Sequence, residues 1–330
     1  MNTNLNSLSG KPVVRLEHVG LRFGDFEALQ DINIEIFQGQ TLALLGHNGA
    51  GKSSLIKLIL GLLKPTTGKL VVNNKPNQSS VNLGYLPEDV SFYDKLTGLE
   101  VLRYFAALKG INSTRVKLLI EEFELGYAQH KPLKTYSKGM KQRLGVAQAI
   151  LSQPDILLLD EPTVGLDPQA SQFLYQKIDS LKQQGCAVIV CTHELSMVEK
   201  HLDSALLLAQ GRRVGSGTLD ELRQVSGLKS QIKLADFTSI VQRDSFLASF
   251  SQGQKLLVDS DERSAVVEYL VQQKQCSDFS VIEPSLESIY HHCMLQQPDR
   301  TESNAVATTQ KSWRQSLQQL LRPTVSQSPL

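Results

Sequence analysis

Residues 13–39 alternate between apolar and polar positions. Residues 13–23 (VVRLEHVGLRF) and 28–39 (ALQDINIEIFQG) follow the period of half-buried strands, with Phe23-Gly24-Asp25 as the turn between them. The pattern then changes to short continuous apolar runs: TLALLG (41–46), ILLL (156–159) and AVIVC (187–191). Runs of this length without alternation predict strands covered on both faces, as in a parallel sheet. Helical spacing appears in SSLIKLILGLL (53–63), through most of residues 97–150, and in QASQFLYQKIDSLKQQG (169–185), which reads as a crossover helix. GKLVVNN (68–74) and SVNLGYLP (80–87) add two strands. ALLLAQGRRVGSG (205–217) reads as a hairpin with a glycine turn, and TLDELRQV (218–225) closes the domain near residue 226.

Beyond 226 the alternation resumes. QIKLA, KLLVD and FSVIE predict strands, separated and followed by helices over 237–250, 261–274 and 285–296. Residues 227–296 are therefore expected to form a small α+β module. Residues 1–11 read as a disordered leader and 297–330, rich in Gln, Ser, Thr and Pro, as a flexible tail. Within that tail SWRQSLQQLLR (312–322) has the pattern of one or two amphipathic turns. No internal repeat is evident.

Composition narrows the function. A hydrophobic fraction of 41% in 330 residues supports one large domain and a smaller one. A net charge of +1 gives no electrostatic case for nucleic acid or acidic membranes. The N-terminus lacks the apolar stretch of a secretory signal, and no run reaches the roughly 18–20 apolar residues of a membrane span. A membrane role would need a partner that supplies the spans. Cys186, Cys191, Cys276 and Cys293 show no CxxC spacing, which points to free thiols in a reducing compartment.

Three motifs carry chemistry. Gly46-His47-Asn48-Gly49-Ala50-Gly51-Lys52-Ser53, with Ser54 after it, fits GxxxxGK[ST] between a predicted strand and a predicted helix. Its backbone N–H groups would converge on phosphates, Lys52 would add charge, and the Ser53 hydroxyl would ligate Mg²⁺. Ile156–Leu159 ends in Asp160 and Glu161, which a buried strand would deliver to the carboxyl edge of the sheet. Asp160 would reach Mg²⁺ through water, and Glu161 would act as general base on the attacking water. His193 follows another apolar strand and could orient that water. Tyr136-Ser137-Lys138-Gly139-Met140-Lys141-Gln142-Arg143 opens a helix, with Ser137 as its N-cap.

GHNGAGKS, YSKGMKQR, ILLLDEP, Gly165-Leu166-Asp167 and His193 together resemble the ATPase subunits of ABC transporters in order and spacing, over residues 13 to about 225. The resemblance implies an α/β P-loop NTPase (RecA-like) core, an antiparallel β subdomain and an inserted helical subdomain at about 87–153. It implies ATP and Mg²⁺ as cofactors and a head-to-tail homodimer. Each ATP would lie between the phosphate loop of one copy and Ser137 and Gly139 of the other, with Asp167 in a loop crossing the interface. Phe23 matches the aromatic that stacks on adenine. Two departures stand out. The usual LSGGQ signature reads YSKGM, a pattern of exporter-type ATPases, and Glu88 stands where a glutamine is expected. A carboxylate only accepts hydrogen bonds. Glu88 could approach Mg²⁺ or water, but with added negative charge near phosphate, so slower turnover or altered coupling is expected.

Residues 86–110 (LPEDVSFYDKLTGLEVLRYFAALKG) resemble the corresponding stretch of the NosF-type ATPases of nitrous oxide reductase maturation. That resemblance implies copper-site assembly through a membrane permease and a periplasmic accessory protein. The ATPase itself would sit peripherally on the cytoplasmic face of the inner membrane. A generic ABC-2 type exporter for a drug, lipid or peptide is the alternative; a soluble non-transport ATPase is a more distant one. In GYLPEDVSFYD (84–94), Phe92 and Tyr93 are expected to face the permease or the helical lobe, and Asp89 and Asp94 to be solvated or capping. His291-His292-Cys293-Met294 consists of metal-ligand types, but successive helical residues point about 100° apart and do not converge on one ion.

Overall fold

The computed structural model describes residues 11–72, 81–242 and 244–296. The expected leader up to residue 10 and the tail from 297 lie outside the described residues. Residues through Met294 belong to one compact unit, and Leu295 opens a second.

In chain order the ATPase-like part comprises β1 (Val14–Phe23), β2 (Phe26–Ile36), β3 (Thr41–Leu45), α1 (Lys52–Ile59), β4 (Thr67–Val72) and β5 (Leu83–Leu86). Three helices follow, α2 (Gly98–Leu108), α3 (Ser113–Glu122) and α4 (Lys138–Ala149), and then β6 (Ile156–Asp160), α5 (Pro168–Gln183), β7 (Ala187–Cys191) and the one-turn α6 (Leu195–Val198). The hairpin β8 (Ser204–Ala209) and β9 (Arg212–Gly217) leads into α7 (Leu219–Ser226).

Among the described residues these strands form one sheet in the order β4-β1-β2-β9-β8-β3-β7-β6-β5. β1, β2 and β4 pair antiparallel, whereas β8, β3, β7, β6 and β5 run parallel. Every residue of β3, β6 and β7 is buried, which explains why their sequences show no alternation. The order places the carboxyl ends of β3, β7 and β6 side by side. The loops after these three strands carry the phosphate motif, His193 and the acidic pair.

The helices obey their end signals. Thr97 and Thr218 close capping boxes on α2 and α7, and Asn112 caps α3. The expected helix over 53–63 stops earlier, at Ile59, and Gly61 turns left-handed just beyond it (φ +72°). The helical lobe has no core of its own. Leu102, Leu119, Phe123 and Leu144 share one buried cluster with Leu45, Leu86 and Leu157 of the sheet.

The C-terminal part contains β10 (Ser230–Leu234), α8 (Phe237–Val241), α9 (Ser245–Ala248), β11 (Ser251–Gln252), β12 (Lys255–Val258), α10 (Arg263–Gln272), β13 (Phe279–Ile282) and α11 (Leu286–Leu295). Its strands form an antiparallel sheet in the order β11-β12-β10-β13. The helix expected over 237–250 is two short helices, because Asp244 turns extended and caps the second through Leu247 N (2.9 Å). The module's cluster is built on Ile232, Leu247, Leu256, Val266 and Leu270. The last helix does not join it. Leu286 and Ile289 of α11 belong instead to the large cluster of the ATPase-like part.

Candidate functional site

The loop from Gly46 to Gly51 leaves the buried end of β3 and enters α1. Gly49 and Gly51 have φ of +83° and +106°, a region that favours glycine. A Cβ at Gly46 would lie 2.5 Å from Leu208 O and 2.8 Å from the Ala50 Cβ. Backbone contact therefore requires that glycine as much as phosphate chemistry does. α1 begins on Gly51 with no side-chain cap, whereas α2, α3, α4, α5 and α7 are all capped by side chains. Its first-turn N–H donors thus lack a side-chain acceptor, an arrangement that suits an anion. Lys52 Nζ folds back over the loop, donating to Gly46 O (2.6 Å) and His47 O (3.2 Å).

A cleft of about 250 Å³ opens on this turn, lined by Asn48, Gly49, Gly51, Lys52, Ser53, Ser54, Glu88, Asp160, Glu161, Phe26 and Ala28. One hydroxyl and two carboxylates (Ser53, Asp160 and Glu88) meet here, a hard-oxygen set of the kind Mg²⁺ takes beside phosphates. Burial holds the Asp160 carboxyl above the usual carboxylate range. Glu161 adds to this, while the Cys191 thiol, which faces Asp160 across β6 and β7, donates a hydrogen bond that works against it. Two adjacent acids in a buried strand end are costly unless a cation arrives.

Glu161 adopts a left-handed backbone (φ +49°), at a cost of order 1 kcal/mol for a non-glycine residue. Three contacts hold it there. Its N–H donates to Cys191 O (2.8 Å), its carbonyl accepts from Val164 N (3.3 Å), and Gln142 Nε2 reaches Glu161 O (3.5 Å) and Pro162 O (2.9 Å). The Glu161 side chain is only 11% exposed, and its Oε2 lies 2.9 Å from His193 Nδ1, whose side chain is 73% exposed. An acid, a histidine and a phosphate cradle therefore converge at one sheet edge, the geometry needed to activate a water beside a phosphoryl group.

A second, larger cleft of about 790 Å³ is lined by Ser137, Lys138, Gly139, Arg143, Gly165 and Asp167, among others. Ser137 caps α4 by accepting from Met140 N (3.2 Å), and Asp167 caps α5 by accepting from Ala170 N (2.8 Å). The two clefts share no lining residue. The Lys138 stem occupies the space beside Gly165, where a Cβ would come within 2.6 Å of its Cδ. Gly139 differs: a Cβ there would meet only ordinary contacts at 3.5 Å, and its φ is not positive. Nothing among the described residues of this chain requires a glycine at 139.

The structure thus brings Asn48, Gly49, Gly51, Lys52, Ser53, Ser54, Glu88, Asp160 and Glu161 to one cleft with His193 at its rim, and Ser137, Gly139 and Asp167 to another. Phe23 ends β1, half-exposed, and pairs across the turn with Phe26, which lines the phosphate cleft in its place. The His47 ring turns back to Asn48 O (2.8 Å), and Ala50 is buried. Tyr93 is 83% exposed, Phe92 packs against the core, and Asp94 pairs with Lys141 (3.6 Å). Sequence reasoning missed Phe26, Gln142 and Cys191. Phe26 differs from Phe23 only by its place in the hairpin. Gln142 and Cys191 gain their roles from tertiary contacts that no spacing reveals.

The family model described as "ABC transporter" matches residues 29–164. The uncharacterized ABC transporter ATP-binding protein YthP of Bacillus subtilis is 36% identical over 222 residues, covering 66% of this chain and 92% of that one. YhaQ of the same organism, with the same description, is 31% identical over 289 residues, covering 84% and 97%. A solved structure of an ATP-binding subunit of an ABC transporter superposes with a TM-score of 0.60 at 32% identity, covering 65% and 93%. Neither relative's name mentions copper or nitrous oxide reductase. The resemblance of residues 86–110 to the maturation ATPases gains no support from them. Among the described residues no group of three or more His, Cys, Asp or Glu is placed to hold a metal ion.

Proposed function

The chain belongs to the ABC transporter ATP-binding proteins, and from that membership we propose that two copies, arranged head to tail, hydrolyse ATP between them to drive a membrane permease. The observation that carries the reading is the pair of clefts. One holds a phosphate cradle, the other a capped turn whose Gly139 nothing among the described residues of its own chain requires. A second copy supplies the missing half of each site.

In this reading Asn48–Ser54 cradle the phosphates and Lys52 swings from its loop carbonyls to the β- and γ-oxygens. Ser53 and Asp160 would hold Mg²⁺, with Glu88 in reach, and the ion would supply charge neutralisation at the phosphates. Glu161 takes the proton of the attacking water, and His193, hydrogen-bonded to Glu161, orients it. Ser137 and Gly139 of the second copy close on the γ-phosphate, which Gly139 can approach because it has no side chain. Phe26, with Phe23 beside it, offers an aromatic face to adenine.

No helix among the described residues is long and apolar enough to cross a membrane. In this reading a permease supplies the spans, and the subunit sits peripherally on its cytoplasmic face. Residues 86–110 support copper-site maturation with a periplasmic accessory protein as the cargo system; a generic ABC-2 exporter of a drug, lipid or peptide is the alternative. Co-expression with a candidate permease tests both levels. The expected result is a stable complex whose ATPase is stimulated by the permease. A chain that neither binds nor hydrolyses ATP in that complex would overturn the reading. Loss of the nitrous oxide reductase copper site on deleting the subunit would select the maturation system, and an intact copper site would select the exporter.

A further inference from the structure

We infer that the C-terminal helix α11 completes the hydrolytic site, because Glu199 locks the His193 loop against it. The inference deepens the ATPase reading and rests on it.

His193 and Glu199 are joined by a single tight turn. Leu195 N donates to His193 O (3.0 Å), Val198 N to Glu194 O (3.2 Å) and Glu199 N to Leu195 O (3.0 Å). With no slack between them, a shift at Glu199 is passed on to His193. The Glu199 carboxylate is held from outside that turn. Leu286 N, which opens α11, donates to its Oε2 (3.0 Å), and the Arg223 guanidinium lies 3.8 Å from its Oε1. Arg223 is itself anchored. It pairs with Asp220 (3.0 Å) and Glu283 (2.6 Å) and donates through Nε to Pro284 O (3.0 Å). Arg263 also pairs with Glu283. Glu199 and Arg223 are each about four-fifths buried, so solvent screens this network far less than a surface pair.

Packing runs the same way. Leu195 and Val198 share a buried cluster with Leu286 and Ile289. On the open side Glu287 lines a cleft of about 360 Å³ together with His193, Glu194, Leu166 and Pro168. Helix α11 therefore borders the loops that follow both β7 and β6. His193 needs such support because it is largely exposed, and Glu161 is the partner that holds its ring. Glu199 touches neither nucleotide nor water in this account; it is a positioning residue. A helix that served only as an apolar lid would need no acceptor at 199.

The test uses the full chain and four variants: Glu199→Ala, Glu199→Gln, His193→Ala and the double variant Glu199→Ala/His193→Ala. Glu199→Ala should lower kcat about tenfold, as for a lost hydrogen bond to a charged acceptor, with the KM for ATP changed by less than about twofold. Glu199→Gln keeps an acceptor for Leu286 N–H and should restore most of the rate. In the His193→Ala background Glu199→Ala should cost nothing further, since both act through one group. Amide exchange over residues 193–199 should quicken in Glu199→Ala while residues 46–54 are unaffected. Wild-type kcat in Glu199→Ala, a full multiplicative loss in the double variant, or unchanged exchange over 193–199 would overturn the inference. A wild-type chain that binds ATP without turnover would instead overturn the ATPase reading, and the exchange comparison would then decide the role of Glu199 by itself.

Discussion

Glu88 shows how far a single side chain can change a phosphate site. The cleft at the glycine loop already contains Asp160 and Glu161, and Glu88 adds a third carboxylate to its wall. An amide there would donate as well as accept, and would carry no charge toward the nucleotide. Two unit charges several ångströms apart near a protein surface interact by a few kcal/mol, less once Mg²⁺ and solvent share the field. Glu88→Gln is therefore expected to lower the KM for ATP about fivefold, roughly 1 kcal/mol, and to alter kcat in the assembled complex. Steady-state kinetics at fixed Mg²⁺ check this, and identical kcat and KM would show that Glu88 faces solvent throughout turnover. Glu88 was expected here only from the family resemblance, which sets it where a glutamine usually stands, and it does line the cleft with Asp160 and Glu161. The roles of Gln142 and Cys191 were not legible in the sequence, because each depends on which buried carbonyl or carboxylate lies opposite. Glu161→Gln should leave ATP binding intact and cut hydrolysis by about 10²–10⁴-fold, the range for a lost general base. Equilibrium nucleotide binding and phosphate release, measured side by side, separate the two effects.

Elements were legible where period and end signals agree. β3, β6 and β7 appear as continuous apolar runs because both faces are covered, and α2 and α7 begin at capping residues the chain spells out. The helix expected over 237–250 failed for a local reason. Asp244 interrupts the pattern, caps α9, accepts from the Tyr269 hydroxyl (2.8 Å) and pairs with Lys274. Helix α11 (Leu286–Leu295) formed where a helix over 285–296 was expected, but its neighbour was not legible: an apolar stripe says that a helix packs, not on which neighbour. Asp244 also makes the module acid-sensitive. The Lys274 ammonium foremost, and then the Leu247 N–H, hold its carboxyl down at about 2, below the ordinary 3.8. A depressed carboxylate stabilises the fold fully above its unfolded value and loses that contribution as pH falls toward the folded one. The module should thus weaken between about pH 4 and pH 2. Asp244→Asn should be less stable at pH 7 by about 1–2 kcal/mol, and the gap to wild type should close across that window. Amide exchange over residues 230–258 at successive pH values reads it; a gap that persists undiminished at pH 2 would show that the stabilisation does not come from the charge of the Asp244 carboxylate.

At the scale of the molecule the two clefts force a question of partnership. Each chain carries a cradle without a closing turn and a closing turn without a cradle, so damage to the two halves should be separable. Lys52→Ala removes the charge that the proposed mechanism sets against the phosphates and leaves the Ser137–Gly139 turn untouched. Gly139→Asp does the reverse. Its Cβ meets only ordinary contacts in its own chain, so the variant is expected to fold, which its circular dichroism checks, but a carboxylate would face the partner's phosphate. Each variant alone should be inactive, because every site in its homodimer lacks one half. Mixing equal amounts under conditions that allow exchange gives heterodimers as half of the population. Each heterodimer has one ruined site and one intact site, formed by the cradle of Gly139→Asp and the turn of Lys52→Ala. If sites act independently, the mixture should recover about a quarter of wild-type turnover, from the two-fold symmetry of the pairing. If each turn acted on the nucleotide of its own chain, mixing would restore nothing. Recovery well below a quarter, with heterodimer formation verified by mass, would instead mean that both sites must fire together. Recovery near a quarter fixes the unit of catalysis as one cradle and one turn drawn from different chains.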